Sequence, residues 1–408
     1  MEEWKSYKLQ DLTVDGKGHY GIGAPAVDFD ENLYTYLRIT DINDDGSLNY
    51  SGLKSVNDPE ANKYLLKEGD IVFARTGNST GRAYYYEPSD GPLVFAGFLI
   101  KFSLNPEKVN PRFLKYYTHS KSYFDWVQSF DTGATRGNIN AQTYGSMEIK
   151  LPPRNLQDQL VEVLSSLDDK IKINNRINHN LEEQAKALYK SWFIDFEPFK
   201  TGSFVDSEMG LIPQGWSVVP FLNVAKLCSG GTPKTDIKEY WYGDIPFFTP
   251  KDVKDSAFCL TTEKSITESG LNHCNSQLYD IFTTFITARG TVGKICMAGV
   301  PMAMNQTNYA IRPHMKIDPV ILYLMSRQLV LSLRNKANGA VFDAITTRDF
   351  EGEKVILADE AILNKFAGIV HSIYERILQN EKQNMALALS RDWLLTEMIS
   401  GKESNMTC

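Results

Sequence analysis

Residues 156–192, LQDQLVEVLSSLDDKIKINNRINHNLEEQAKALYKSW, and residues 362–398, ILNKFAGIVHSIYERILQNEKQNMALALSRDWLLTEM, are two copies of one pattern set 206 positions apart. In the first copy Leu156, Leu160, Val163, Leu167, Ile171, Asn174, Asn178, Leu181, Ala185, Leu188 and Trp192 fall at alternating three- and four-residue steps, with one extra four. In the second the same positions are Ile362, Phe366, Ile369, Ile373, Ile377, Asn380, Asn384, Leu387, Arg391, Leu394 and Met398. Such spacing lays side chains along one stripe of a helix, close to the 3.5-residue period of a coiled coil. Each helix is expected to run about 38 residues, on the order of 57 Å. Two unrelated amphipathic helices, each packed on its own domain, would be the plainer explanation. It does not account for two asparagines in the middle of both stripes, because a polar seam residue costs stability and specifies register. If the repeats are related by a twofold axis the helices run antiparallel, Asn174 meets Asn384, and Asn178 meets Asn380. The same register sets Leu181 against Ile377 and Trp192 against Phe366. It also sets Leu167 against Arg391, a poor pair unless the guanidinium snorkels outward.

The rest of the chain repeats as well. WKSYKLQDL from Trp4 answers WSVVPFLNV from Trp216, and YLRITDI (Tyr36 to Ile42) answers FFTPKDV (Phe247 to Val253). TGNSTGRA (Thr76 to Ala83) matches RGTVGKI (Arg289 to Ile295), and NPRFLKYY (Asn110 to Tyr117) matches DPVILYLM (Asp318 to Met325). The offset drifts from 212 to 206, as loops of unequal length would make it after a duplication. Segments such as GDIVFAR (Gly69 to Arg75), LVFAGFLIKFS (Leu93 to Ser103) and DIFTTFITA (Asp280 to Ala288) are β-branched and aromatic between turn residues, so they read as strands. Short helices are expected after Pro111 and Pro319. The fold class is therefore α+β: two pseudo-twofold-related domains, 1–150 and 216–357, separated by two long antiparallel coiled-coil helices, 151–198 and 358–400. Residues 199–215 read as a linker and 401–408 as a tail.

Composition bounds the possibilities. A chain of 408 residues suits two domains with connectors, and 42% hydrophobic with 23% charged residues is the balance of a globular protein. No apolar run approaches about 20 residues, and the opening MEEWKSYKLQ does not read as a signal peptide, so a cytoplasmic protein is expected. The five cysteines all lie at Cys228 or beyond without a CxxC pair, which argues against a disulfide framework and a zinc site. Net charge is −7, with 16 basic against 20 acidic residues in 1–150 and 15 against 13 in 216–357. Any contact with nucleic acid must therefore come from local loops.

The linker stretch WFIDFEPF (Trp192 to Phe199) followed by DSEMGLIPQGW (Asp206 to Trp216) resembles that of the specificity subunits of type I restriction-modification systems. So do CSGGTPKT (Cys228 to Thr235), YWYGDIPFFTPKDV (Tyr240 to Val253), TARGTVGKI (Thr287 to Ile295) and LPPRNLQDQLVEVLSSLDDKI (Leu151 to Ile171). The resemblance covers essentially the whole chain. It departs at the second helix entry, ILADEAILNKF (Ile356 to Phe366), which lacks the double proline. The resemblance implies two target-recognition domains on a helical scaffold, each binding one half-site of a split double-stranded DNA target with a nonspecific spacer. Two methyltransferase subunits would dock on that scaffold and a translocating restriction subunit would join them. S-adenosylmethionine and ATP with magnesium would act in those partners, leaving no cofactor or metal in this chain.

The residues carry no recognisable active site. There is no Asn/Asp-Pro-Pro-Tyr/Phe motif, and GTVGKI (Gly290 to Ile295) is too short for a phosphate loop, with Ile where Ser or Thr should bind magnesium. Glu148-Ile-Lys150 downstream of Asp131 has the spacing of a metal-dependent nuclease, but alternating polar residues on a strand explain it more simply. For DNA contact the first loop family offers Arg75, Thr76, Asn78, Ser79, Thr80 and Arg82, answered by Arg289, Thr291 and Lys294. The second, TRGNIN, offers Arg136, Asn138 and Asn140, answered by Thr346, Thr347 and Arg348. Lys251 and the polar stretch Asn305, Gln306 and Asn308 complete the candidates. Glycine-bounded backbone permits close approach to phosphate, Arg can bridge guanine O6 and N7, and Asn can pair with adenine. Ordinary turn chemistry favours the same residue types. Three classes of function stay open here: a bipartite DNA reader, a stand-alone DNA-modifying or DNA-cleaving enzyme, and a coiled-coil scaffold that binds no DNA.

Overall fold

The computed structural model describes residues 4–130, 137–254, 256–290, 292–336 and 344–399. Both long helices form, Arg154–Phe193 and Glu360–Ile399, 40 residues each. An offset of 206 carries both ends of the first onto both ends of the second. The absent double proline does not move the second start, because Asp359 stands where Pro153 would be. Its carboxylate caps the helix by accepting the Ile362 N–H at 2.9 Å. Both helices are shorter than the 151–198 and 358–400 read from the sequence. Leu151 closes a strand, and beyond Phe193 the chain reverses through Phe196, held in the left-handed region at φ 54°.

The chain forms two compact units, Met1–Asp169 with Leu387–Cys408, and Lys170–Ala386. The boundary crosses both long helices instead of lying at their ends. In the first unit one antiparallel sheet runs His19–Tyr20, Leu99–Ser103, Asp70–Ala74, Ala83–Tyr85. A second runs Ala26–Val27, Lys54–Val56, Tyr34–Leu37, Leu93–Phe95, the last pair parallel. Strand Lys5–Lys8 pairs with Glu148–Leu151 just before the helix. The second unit repeats this order. Ala225–Ser229, Asn308–Pro313, Thr284–Thr287 and Ile295–Ala298 form its main sheet, with Phe258–Cys259 added at the edge. Trp241–Phe248 lies antiparallel to Lys264–Ile266 and parallel to Ala303–Met304, and Ser217–Pro220 pairs with Lys354–Leu357. The duplication read from sequence is thus a duplication of topology.

Two expectations need correcting. The helix after Pro319 is not short: Pro319–Lys336 has 18 residues, and its Val320 to Met325 run is buried in the core. Nor are residues 199–215 a bare linker. Phe204–Ser207 and Gly210–Pro213 make a hairpin, and Trp216 packs on Phe193 and Phe199 at ring distances of 5.7 and 5.0 Å.

Within the second unit the helices pair through their polar layers. Asn174 Nδ2 donates to Asn384 Oδ1 at 2.8 Å, and Asn380 Nδ2 donates to Asn178 Oδ1 at 2.7 Å. These are the twofold pairs, and Trp192 meets Phe366 at 5.2 Å in the same register. Leu181 and Ile377 lie in the same core. The stripe departs from the sequence reading toward the helix ends. Val163 and Ile369 are 45% and 38% exposed, and their neighbours Leu164 and Val370 are buried instead. There the helices also pack on their own domain's core, which turns the buried face by about one residue. Leu160 and Leu394 stay with that face, Leu167, Ile171, Leu188, Ile373 and Leu387 are half-buried, and the Met398 side chain lies outside the described residues. Arg391 does not snorkel outward. Its Nη1 reaches Asp168 at 3.0 Å inside the first unit.

Candidate nucleic-acid interface

In each unit one hairpin carries the first loop family. Residues 75–82 join Asp70–Ala74 to Ala83–Tyr85, and residues 288–294 join Thr284–Thr287 to Ile295–Ala298. Backbone bonds fix their equivalence. Gly81 N–H donates to Ala74 O at 3.0 Å and Gly293 N–H to Thr287 O at 2.8 Å. Gly77 and Gly290 both stand at positive φ, 74° and 84°, which residues with a Cβ adopt at a cost. This register makes Arg289 the counterpart of Thr76, and Lys294 that of Arg82. Arg75 matches Ala288, since each donates its N–H across the sheet, to Phe98 O and Thr307 O. The two loop arginines therefore occupy different places in the repeat.

The second loop family arrives beside the first. Ile139 N–H donates to Arg75 O at 3.0 Å, and Ile345 N–H to Ala288 O at 2.9 Å. Thr80 Oγ1 also donates to Gly137 O at 3.1 Å. A cleft of about 280 Å³ opens there in the first unit, with Asn78, Thr80, Gln128 and Phe130 in its walls. In the second unit the 305–308 turn joins the cluster: Asn305 N–H donates to Phe248 O at 3.0 Å. A Cβ on Gly290 would stand 4.0 Å from Pro250 Cβ, beside Lys251.

Not every candidate is available at the surface. In the first unit Asn78 and Asn138 are exposed, and Thr76 is half-buried. Arg75 is half-buried with its guanidinium 5.1 Å over the Tyr20 ring, and its Nε is buried without a partner. Arg82 is engaged, pairing with Asp44 at 2.6 Å and donating to Ile42 O at 3.0 Å. Ser79 is buried. Asn140 caps the helix Ala141–Gly145 by accepting the Thr143 N–H at 2.9 Å, and Thr346 caps Thr347–Glu351 through Asp349. In the second unit Lys251, Arg289, Lys294 and Arg348 are exposed and form no ion pair among the described residues. Thr347 is exposed and lies 3.4 Å from the Tyr309 hydroxyl. Gln306 is exposed, with its amide oxygen on the Thr232 hydroxyl. Asn308, expected on the surface, is fully buried, because its side chain lies on a covered face of the sheet where the first unit buries Leu99. Arg136 and Thr291 lie outside the described residues, as does Asp131.

Tyr20, Thr232 and the exposed Phe98 escaped the sequence reading. Each is brought to the cluster by a distant strand, a relation that no local pattern carries. The Glu148 and Lys150 side chains point outward on a strand whose alternate residues are buried, as strand geometry dictates. Among the described residues no group of three or more His, Cys, Asp or Glu could hold a metal ion. No described helix is long and apolar enough to cross a membrane. Cys228, Cys259, Cys274 and Cys296 are free thiols, and burial pushes Cys259 up to about 12, away from reactive thiolate.

The family model for the type I restriction modification DNA specificity domain matches residues 1–183 and again 213–386. The chain is 24% identical to the type I restriction enzyme HindI specificity subunit of Haemophilus influenzae, over 98% of this chain and 100% of that protein. It is 28% identical to the MjaIX specificity subunit of Methanocaldococcus jannaschii, over 71% of this chain and 68% of that one. Among solved structures, the type I restriction-modification S subunit of M. genitalium shares the fold. Its TM-score is 0.55 at 16% identity, covering 97% of this chain and 96% of that one. With a specificity domain matched in each half, a fold built twice to one topology and a loop cluster at the same place in both copies, the chain belongs to the type I restriction-modification specificity subunits.

Proposed function

We propose that this chain reads a bipartite double-stranded DNA target, one half-site per recognition domain with a nonspecific spacer between them. On its helices it scaffolds two methyltransferase subunits, and a restriction/translocase subunit completes the complex in the cytoplasm. The chain itself carries no chemistry; S-adenosylmethionine and ATP with magnesium act in the partners. The observation that carries this reading is the doubled loop cluster. Each copy holds glycine-bounded backbone, exposed amides or cations, and a neighbouring loop at the same point of the fold.

Exchanging residues 1–150 for the equivalent domain of another family member is the test. Methylation mapping of the reconstituted complex should show one half-site replaced and the other intact. Coordinated change in both half-sites would sink the two-reader model.

Arg289→Ala gives a finer expectation. If the guanidinium bridges a guanine, binding should weaken by about 1–3 kcal/mol and discrimination should relax at one position only. A phosphate contact would instead weaken all sequences alike and flatten the salt dependence. Unchanged binding in both assays would return Arg289 to ordinary turn chemistry. Arg75→Ala should behave differently from its sequence counterpart, because that side chain is partly buried on Tyr20 and its loss also loosens the loop.

A further inference from the structure

We propose that the second recognition domain uses Asn305 as a one-sided donor. Its amide Nδ2 contacts a group with acceptors only, a guanine or thymine major-groove edge or a backbone phosphate, and does not pair with adenine through both ends of the amide. The proposal rests on the DNA-reading function above and specifies its chemistry.

Asn305 Oδ1 accepts three hydrogen bonds: from Thr307 N–H at 3.1 Å, Thr307 Oγ1 at 2.8 Å and Asn308 Nδ2 at 2.6 Å. A backbone N–H can only donate, so the atom facing it must be the oxygen, and the orientation of the amide is settled without appeal to hydrogen positions. Pairing with adenine needs both ends of an asparagine amide, a donor to N7 and an acceptor for the N6 amino group. Here the acceptor is already saturated. Asn305 is half-buried, and its Nδ2 makes no hydrogen bond among the described residues. Guanine shows N7 and O6 in the major groove and thymine shows O4, all acceptors, and phosphate oxygens accept as well. Two exposed cations stand close by. Thr307 O accepts the N–H of Ala288, the residue before Arg289, and Phe248, three residues before Lys251, accepts the Asn305 N–H.

The other copy of the repeat shows that the fold does not require this arrangement. Equivalent backbone bonds, Ala96 N–H to Leu37 O and Asn305 N–H to Phe248 O, align Ala96-Gly97-Phe98-Leu99 with Asn305-Gln306-Thr307-Asn308. One backbone thus carries an apolar turn in the first unit and three amides in the second. Asn308 stands where the first unit buries Leu99, and it leaves its own Oδ1 buried without a partner. Burying an unpaired carbonyl is unfavourable, and core stability gives no reason for it. Its side-chain hydrogen bond is the one that holds Asn305, which makes Asn308 a positioning residue.

The experiment uses the full chain assembled with its methyltransferase subunits, after the methylated motif has been mapped. Asn305→Ala installs the residue the first unit has at this point, so the turn is expected to fold. It should lower methylation of the mapped target about tenfold, with the defect confined to the second half-site. Asn305→Asp, which removes the donor and adds an acceptor, should be at least as damaging. Replacing one guanine of that half-site by 7-deazaguanine or 2-aminopurine, which lack N7 and O6 in turn, or one thymine by 5-methyl-2-pyrimidinone, which lacks O4, should reproduce the loss in the unaltered protein and add nothing in Asn305→Ala if the contact is a base edge. A single methylphosphonate linkage should do so if it is a phosphate. If instead purine in place of an adenine other than the methylated one, which removes its N6 amino group, reproduces the loss in the unaltered protein and adds nothing in Asn305→Ala, Asn305 accepts and the proposal is overturned. It is overturned as well if Asn305→Ala changes nothing while Arg289→Ala alters recognition. If both leave recognition unchanged, the reading function of this loop cluster itself fails.

Discussion

Asp168→Ala is expected to destabilise the first unit by about 2 kcal/mol, because it removes a buried carboxylate that two half-buried cations share. The buried Asp168 carboxylate meets Lys115 Nζ at 3.1 Å and Arg391 Nη1 at 3.0 Å, and accepts the Tyr116 hydroxyl at 3.0 Å. Lys115 also holds Glu87 at 3.0 Å. Burial alone would raise the Asp168 carboxyl, but Lys115 and Arg391 outweigh it and hold it below the usual carboxylate range. A carboxylate so depressed contributes stability that is present above its unfolded pKa of about 3.9 and lost as pH falls through the folded value. Burial pushes His119 down, and Arg391 adds to that. A depressed imidazole likewise contributes stability that is present above about pH 6.5 and lost as pH falls through its folded value. Urea midpoints should therefore fall as pH drops below about 6.5 and fall further below about 4, with the second loss smaller in Asp168→Ala. A profile flat from pH 7 to 3.5, or a variant as stable as the parent, would contradict this account. Tyr374 is the built-in control. It occupies the matching position 206 residues on, packs on Tyr323 at 5.5 Å and leaves its hydroxyl unpartnered, so Tyr374→Phe should cost almost nothing.

Inserting one heptad into each long helix, at positions matched by the asparagine register, should lengthen the preferred DNA spacer and leave both half-site sequences unchanged. Seven residues add about 10 Å of helix, and seven is the insertion that keeps the seam in phase. At about 3.4 Å per base pair that allows at most about three extra base pairs. Helix tilt and DNA bending should reduce the change to one or two. The expectation depends on the proposed two-reader function and on the helices acting as its ruler, in the way that protein symmetry sets operator spacing. Methylation mapping across targets whose spacer varies by single base pairs is the measurement. A folded, active complex whose preferred spacer has not moved would show that the helices do not set the distance.

Local and repeated signals were enough to determine much of this protein. The duplication, the two long helices, the strands at 70–74 and 284–287, and the pairing of Asn174 with Asn384 all follow from periodicity and from self-comparison, which depend on neighbours along the chain. The tertiary structure alone decided which polar residues of the loops are free to act. Arg82 looked as available as Lys294 until Asp44, from a different loop, claimed it. Asn308 looked like part of a polar surface until its strand turned that side chain into the interior. Arg391 looked like a misfit in an apolar seam until Asp168 supplied its partner. The physical reason is the same in each case. Burial and hydrogen-bond partners come from residues far away in sequence, and a polar side chain's role is set by what is left unsatisfied after folding.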